Sequence, residues 1–283
     1  MNKVLLLSGA GGFLGKAVQR AASARPDIAL RPVSRLEPEA ADWPEAGAAA
    51  RAAFLHLGWP SLGHFSAQGS GTEDPEEWQS FRHLTGELAH RCASAGIPFF
   101  QVGSGVERYA GEGGPLGEPY ATYARRKAEI WDLVRGICAE RSARLRVHFV
   151  FGPEEAAGRL IPAAIKAAQA GEPFPMGALE RRRHWAHVDD VAAGLLDAVF
   201  AQSPENWDIC GPETVSFTDI VRLVSEAVGE PLEPVLPAKP PADATCPVIA
   251  AENPAPFLHG DMGGLTDLGR KLQHYAEQLL RSR

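Results

Sequence analysis

Long apolar runs are missing from this chain of 283 residues. No stretch reaches the roughly 18 apolar residues a membrane span needs, so the sequence predicts no membrane-spanning helix and no membrane partner. Cysteine is scarce. Cys92, Cys138, Cys210 and Cys246 stand apart without a paired spacing, which argues against a disulfide framework and for a reducing cytoplasm. An excess of positive charge is missing too. The net charge is −7 and the basic residues are dispersed, Arg181-Arg182-Arg183 excepted, which argues against nucleic acid or anionic lipid as partner. The nine histidines carry no strong metal signature. His184 and His187 would share a face if helical, but no Cys or Glu ligand accompanies them; the sequence predicts a structural role and no metal.

What is present is ordinary for a folded globular chain: 45% hydrophobic and 22% charged residues, with length enough for one domain or two unequal ones. The apolar run Val4–Leu7 is too short for a signal peptide before Ser8-Gly9 and suits a buried strand. Strands are predicted at Lys3–Ser8, Ile28–Ser34, Ala53–Leu57, Ile97–Val102 and Arg144–Phe151. Helices are predicted between them at Phe13–Ala24, Pro75–Ala95 and Tyr120–Glu140. This alternation predicts an α/β fold, a doubly wound parallel sheet of Rossmann type. After Pro153 the pattern loosens. Helices are expected at Leu160–Ala170, Asp189–Phe200, Phe217–Val228 and Leu265–Leu280, a short strand at Trp207–Cys210, and an extended path through the proline-rich Pro231–Pro256. The expected division is a dinucleotide-binding domain of residues 1–152, to which 183–210 return, and a smaller substrate lobe of 153–182 and 211–283.

The segment "GAGGFLG" places four glycines in seven positions between the first strand and the first helix. A tight turn there brings backbone close to a pyrophosphate, and the free amides of the helix start receive it. Gly9, Gly12 and Gly15 give the spacing G-x-x-G-x-x-G, and Phe13 and Leu14 complete the candidate cofactor loop. A carboxylate at the end of the second strand would hold a ribose hydroxyl of NAD. Ser34 and Arg35 stand there instead, with no acid before Glu37, so the sequence favours NADP over NAD.

"YATYARRKAEIW" sets Tyr123 and Lys127 four apart, on one face of a helix. A free tyrosine, with pKa near 10, is a poor acid or base at neutral pH; an ammonium beside it stabilises the phenolate and lowers that pKa. The pair therefore points to proton transfer coupled to a redox step.

Together these segments resemble the extended short-chain dehydrogenase/reductase family of NAD(P)-dependent sugar-nucleotide epimerases, dehydratases and ketoreductases, over most of the chain to about residue 230. "SGAGGFLG" is similar to its cofactor loop, and "FLHLGW" to the strand-four motif that borders the cofactor, which implicates Leu57 and Gly58. "TYARRK" is similar to its catalytic helix, "VFGP" to the segment after its sixth strand, and "RHWAHVDDVA" to its Arg-Asp-Phe-x-x-Val-Asp-Asp-Val segment. The resemblance implies catalysis by Ser104, Tyr123 and Lys127, with Tyr123 and Lys127 also touching the cofactor, and Arg183 on a nucleotide-sugar diphosphate. Ser104 lies closer in sequence to Tyr123 than in the family's epimerases and is more like the Gly-Thr/Ser…Glu-Tyr-Gly variant of its sugar-nucleotide reductases.

The chain also departs from the family. Phe81 stands where an asparagine often faces the site, and Phe149 takes the place of a substrate-binding asparagine. Gly105-Val106 follow Ser104 where dehydratases have an Asp-Glu pair, which disfavours dehydration. The expected function is thus an NADPH-dependent reductase of a keto group on a nucleotide-activated sugar. The alternatives are an NAD-dependent sugar-nucleotide epimerase and, of another class, a non-catalytic NAD(P)-sensing protein, although the intact Tyr/Lys pair speaks against the last. The sequence does not decide the oligomeric state; family members often dimerise through the long helices, here Pro75–Ala95 and Tyr120–Glu140, so the resemblance leaves a homodimer open.

Overall fold

A computed structural model describes residues 3–34, 43–44, 51–60, 75–109, 111, 114–118, 120–201, 204–238, 246–256 and 264–281. Its frame is a six-stranded, wholly parallel sheet in the order β2 (Ile28–Val33), β1 (Lys3–Ser8), β3 (Ala52–His56), β4 (Phe99–Ser104), β5 (Ser142–Val147), β9 (Trp207–Ile209). A parallel sheet is covered on both faces, and its strands accordingly read as continuous apolar runs. Side-chain alternation splits β1 between the two sides. Leu5 and Leu7 pack with Val18 of α1 (Phe13–Ser23) and Leu195 and Leu196 of α5 (Val188–Val199). Leu6 packs with Phe54, Leu88 of α2 (Pro75–Ala95) and Trp131 and Val134 of α3 (Tyr120–Cys138).

From β1 the sheet grows to β2 on one side and to β3 on the other. The carboxyl ends of β1 and β3 therefore border a crevice of the kind that receives ligands in open α/β sheets. Gly9, Leu57 and Ser104 all stand at this edge.

A second core lies beyond it. Ile161 and Ile165 of α4 (Leu160–Ala170) meet Phe217 and Leu223 of α6 (Phe217–Val228) and Leu272 and Tyr275 of α7 (Gly264–Arg281). A capping box between Ser216 and Asp219 starts α6. These helices accompany a small sheet centred on β8 (Arg182–His187). It pairs antiparallel with β10 (Thr214–Ser216) and parallel with β6 (Phe149–Phe151) and β12 (Val248–Ile249). Two further short strands, β7 (Phe174–Pro175) and β11 (Pro234–Val235), pair parallel. The architecture is thus a Rossmann-type sheet with a smaller C-terminal lobe.

Several elements differ from expectation. The strand expected over Arg144–Phe151 is two strands: β5 stays in the large sheet and β6 joins the small one, with His148 at the crossing. Leu145 and Val147 of β5 run on through His148 to the apolar β6 with no glycine or proline between, so the pattern alone does not reveal the break. The strand expected at Ile97–Val102 runs at 99–104, because Ile97 closes the preceding helix, its backbone amide donating a hydrogen bond to the Cys92 carbonyl. His184 and His187 lie on β8, not on a helix. Among the described residues, no helix is long and apolar enough to cross a membrane.

Candidate functional site

The glycine loop follows β1 directly. Gly9 adopts φ +77°, a left-handed conformation in which a side chain is strained, and its carbonyl accepts the Gly12 amide at 3.1 Å. A methyl group on Gly9 would stand 2.9 Å from the Gly58 nitrogen and 3.0 Å from the Leu57 carbonyl carbon. One on Gly15 would run into the carbonyl groups of Gly9 and Ala10. Gly9 thus lets the loop lie against Leu57-Gly58, and Gly15 lets helix α1 close under the loop.

Phe13 and Leu14 begin α1 and pack on the main core, and Gln19 Nε2 donates to the Ala10 carbonyl at 2.8 Å. No side chain caps α1 and its first turn holds no acid, so its leading amides stay available to an anion. The exposed Gly11 and Gly12 leave backbone, not side chains, at that approach. This cradle fits a dinucleotide pyrophosphate. Ser34 is exposed at the end of β2; Arg35 lies outside the described residues.

The other candidates converge from β4 and α3. Ser104 is the last residue of β4, before a tight 3-10 turn of Gly105–Tyr109, and it hydrogen-bonds the Tyr123 side chain. Lys127, one turn further along α3, is buried. Its ammonium donates to the Val102 carbonyl at 3.2 Å, stands 4.1 Å from the centre of the Trp59 ring and 5.8 Å from that of Tyr123. Burial lowers the lysine to about 8, against the opposing charge of Glu107. Tyr123 moves the other way. Burial and the Glu107 charge raise it well above its ordinary value, outweighing the Ser104 hydrogen bond. The sequence reading, that a neighbouring ammonium lowers this tyrosine, takes no account of that desolvation.

Two residues here carry no role in the sequence reading. Trp59 meets Tyr123 edge-on at 5.2 Å and packs against Trp78 and Phe81. Its signal is its position directly after Leu57-Gly58. Phe81, where an asparagine was expected, contributes an apolar wall at 5.7 Å from Trp59 and 5.9 Å from His56. Glu107 is buried behind Ser104. It accepts the Ser104 amide at 2.5 Å and pairs with Arg144 at 3.2 Å. Its signal is the i+3 spacing from Ser104.

On the side of the second lobe, Phe149 opens β6 and packs on Trp185 at 5.2 Å. Arg183 is fully buried, and its guanidinium donates to the carbonyls of Arg182 (2.7 Å), Cys246 (2.9 Å) and Pro247 (3.2 Å). The basic run is therefore no surface patch: Arg181 is also buried, donating to Gly177 and Ala178 and lying 4.3 Å from the Phe217 ring centre.

A buried Asp208 ties the same C-terminal segment to the sheet. It takes Arg108 at 2.5 Å, Arg146 at 3.0 Å and the amides of Glu252 and Asn253 at 3.0 and 2.9 Å. Burial alone would raise its carboxyl, but the His148 side chain, these amides and Arg146 hold it well below the usual carboxylate range. The structure thus brings Gly9, Gly12, Gly15, Leu57 and Gly58 together at one end of the sheet, and Ser104, Tyr123 and Lys127 beside them. Arg183 faces the backbone of 246–247, with its guanidinium 5.7 Å from the centre of the Phe149 ring.

No protein of curated function matches the chain in sequence. Among solved structures, MoeE5 in complex with UDP-glucuronic acid and NAD superposes with a TM-score of 0.72 at 21% identity, covering 99% of each chain. A UDP-N-acetylglucosamine 4-epimerase from Methanobrevibacter ruminantium, in complex with UDP-N-acetylmuramic acid, gives 0.76 at 16% identity, covering 100% of this chain and 99% of the other. The UDP-glucose 4-epimerase of Thermotoga maritima gives 0.72 at 17%, covering 99% of each. At these identities the likeness establishes the fold. The model of the NAD dependent epimerase/dehydratase family matches residues 5–210, and the chain belongs to that family of enzymes.

Proposed function

We propose that the protein is an NAD-dependent enzyme acting on a nucleotide-activated sugar, which oxidises and re-reduces one carbinol carbon so that its configuration inverts. The observation that carries this reading is the grouping of the partly buried Ser104 and Tyr123 with the buried Lys127 beside the glycine cradle. The solved relatives named for 4-epimerases and for UDP-sugar complexes support this substrate class and favour epimerisation over net reduction.

In this reading the Gly9–Gly15 loop and the first amides of α1 hold the pyrophosphate, with Leu57 and Gly58 bordering the dinucleotide. Bound NAD would supply the hydride acceptor and donor. Tyr123 takes the proton of the sugar hydroxyl and later returns it. Ser104 orients that oxygen, and Lys127 holds the ribose and supplies positive charge beside the phenolate. Residues 1–152 and 183–210 serve the dinucleotide; 153–182 and 211–283 serve the sugar, with Phe149 and Arg183 as contacts. Phe149 in place of an amide side chain favours an apolar face of the substrate. Contact between Arg183 and a diphosphate requires the 246–247 backbone to yield the guanidinium.

A second reading, reduction of a keto sugar with NADPH, rests on Ser34-Arg35 at the end of β2. The two separate cleanly. Incubation with UDP-sugars and catalytic NAD yields an epimer with no net change in absorbance at 340 nm, whereas a reductase consumes NADPH in proportion to product. Stoichiometric consumption overturns the epimerase reading.

A further inference from the structure

Ser104 and Lys127 share a neighbour that none of the chemistry above uses. Glu107 sits one turn past Ser104 with its side chain 1% exposed. One carboxylate oxygen takes the Ser104 amide at 2.5 Å, and the other takes Arg144 of β5 at 3.2 Å. The carboxylate lies so close to β4 that a methyl group on Gly103 would stand 2.5 and 3.0 Å from its two oxygens. Glycine at 103 is what admits it.

Lys127 itself touches a carbonyl and an aromatic ring, neither of which is a full counter-charge. We propose that Glu107 is a positioning residue of the catalytic site: its carboxylate fixes the Ser104 backbone and serves as counter-ion to the Lys127 ammonium, which is held two residues away at the Val102 carbonyl. The proposal rests on the catalytic reading of Ser104, Tyr123 and Lys127. The physical need is clear. Burial drives the lysine towards its neutral form, and a neutral amine cannot stabilise a phenolate. Among the described residues, Glu107 is the acidic group whose charge opposes that drive. Burial raises the Glu107 carboxyl above its ordinary value, and Lys127 from α3, Arg144 from β5, the Ser104 amide and Arg146 oppose that rise and favour the ionised form. Arg144 thereby also limits how strongly the carboxylate acts on its neighbours. The same carboxylate raises Tyr123, which Ser104 and Arg159 lower. Glu107 thus favours the ammonium form of Lys127 and, together with burial, raises the neighbouring tyrosine.

The test reads Lys127 directly. In protein labelled with ¹³C-lysine, the Cε resonance of Lys127, assigned by its loss in Lys127→Met among six lysines, is followed against pH. The parent midpoint is expected at about 8. Glu107→Gln keeps the shape and the acceptor for the Ser104 amide but removes the charge. It should lower the midpoint by roughly one pH unit. Arg144→Met leaves the carboxylate less neutralised and should move the midpoint upward, which keeps the test open if Glu107→Gln does not fold. An unchanged midpoint in Glu107→Gln, or a downward or absent shift in Arg144→Met, overturns the proposal. Failure of the catalytic reading shows differently: Tyr123→Phe would turn over within a few-fold of the parent while the Lys127 shifts persist.

Discussion

The Lys127 ammonium lies 4.1 Å from the centre of the Trp59 ring, and the same ring meets Tyr123 edge-on at 5.2 Å. An indole therefore packs against both members of the tyrosine–lysine pair. Aromatic faces attract cations, so Trp59 favours the charged lysine while it excludes water from the pair. Helix α3 and the segment after β3 are coupled through this one side chain.

Tyr123→Phe removes one oxygen from a partly buried ring whose packing survives. Folding and dinucleotide binding should persist, while turnover falls about 10²–10⁴-fold, the usual cost of losing a positioned acid or base. Lys127→Met should be as damaging, should weaken dinucleotide binding, and should shift a tyrosine-linked pH optimum upward. Steady-state rates with a UDP-sugar and fluorescence titration of NAD check both.

Gly15→Ala places a methyl group against the carbonyls of Gly9 and Ala10. Because those atoms belong to backbone, the loop must open or α1 must retreat. NAD affinity should drop at least tenfold, measured by calorimetry. Unchanged affinity would show that this loop does not hold the pyrophosphate.

Arg35→Ala tests cofactor choice. A charge-assisted bond to a 2′-phosphate contributes roughly 1.5–3 kcal/mol, so NADP affinity should fall about ten- to hundredfold with NAD affinity unchanged. Equal losses for both cofactors would dismiss Arg35 as selector.

Arg183→Ala removes a buried guanidinium from the carbonyls of Arg182, Cys246 and Pro247. The Pro247 carbonyl keeps the Arg182 amide, but a desolvated carbonyl left unpaired costs about 1–3 kcal/mol, so a lower melting temperature is expected. If the residue also serves the diphosphate, the KM for a UDP-sugar rises while NAD affinity holds; a lower melting temperature with unchanged KM makes Arg183 structural only.

Glu155 offers a pH test. Its side chain is 3% exposed and burial raises it from 4.5 to about 7, partly offset by Arg159. A folded-state value above the unfolded one means the native protein binds the extra proton between the two. Its contribution is full below about 4.5 and is lost as pH rises through about 7. Glu155→Gln should abolish that loss and stabilise the protein above pH 7 by on the order of 2 kcal/mol. Urea unfolding at pH 5 and pH 8 reads it; parallel shifts at both would contradict the assignment.

Local pattern alone determined much of this protein. The apolar Leu5–Leu7, the glycines at 9, 12 and 15 and the apolar side of α1 lie within one turn-linked unit, so strand, loop and helix are legible from spacing. Tyr123 and Lys127 are four apart on a continuous helix, and helical geometry brings them to one face without outside help. Tertiary structure decided the rest, because the deciding contacts join residues far apart in the chain. The split of 142–151 into β5 and β6 depends on partners at Trp207–Ile209 and Trp185–His187. β10 and β12 are two or three residues long and exist through pairing with β8. By resemblance Arg183 reads as a diphosphate contact, and only the fold shows its guanidinium buried on the 246–247 backbone; Tyr123 reads as an acidified phenol until burial and the Glu107 charge raise it. Ionisation and burial are properties of three-dimensional surroundings, and spacing along a chain carries only the part that a single helix or strand repeats.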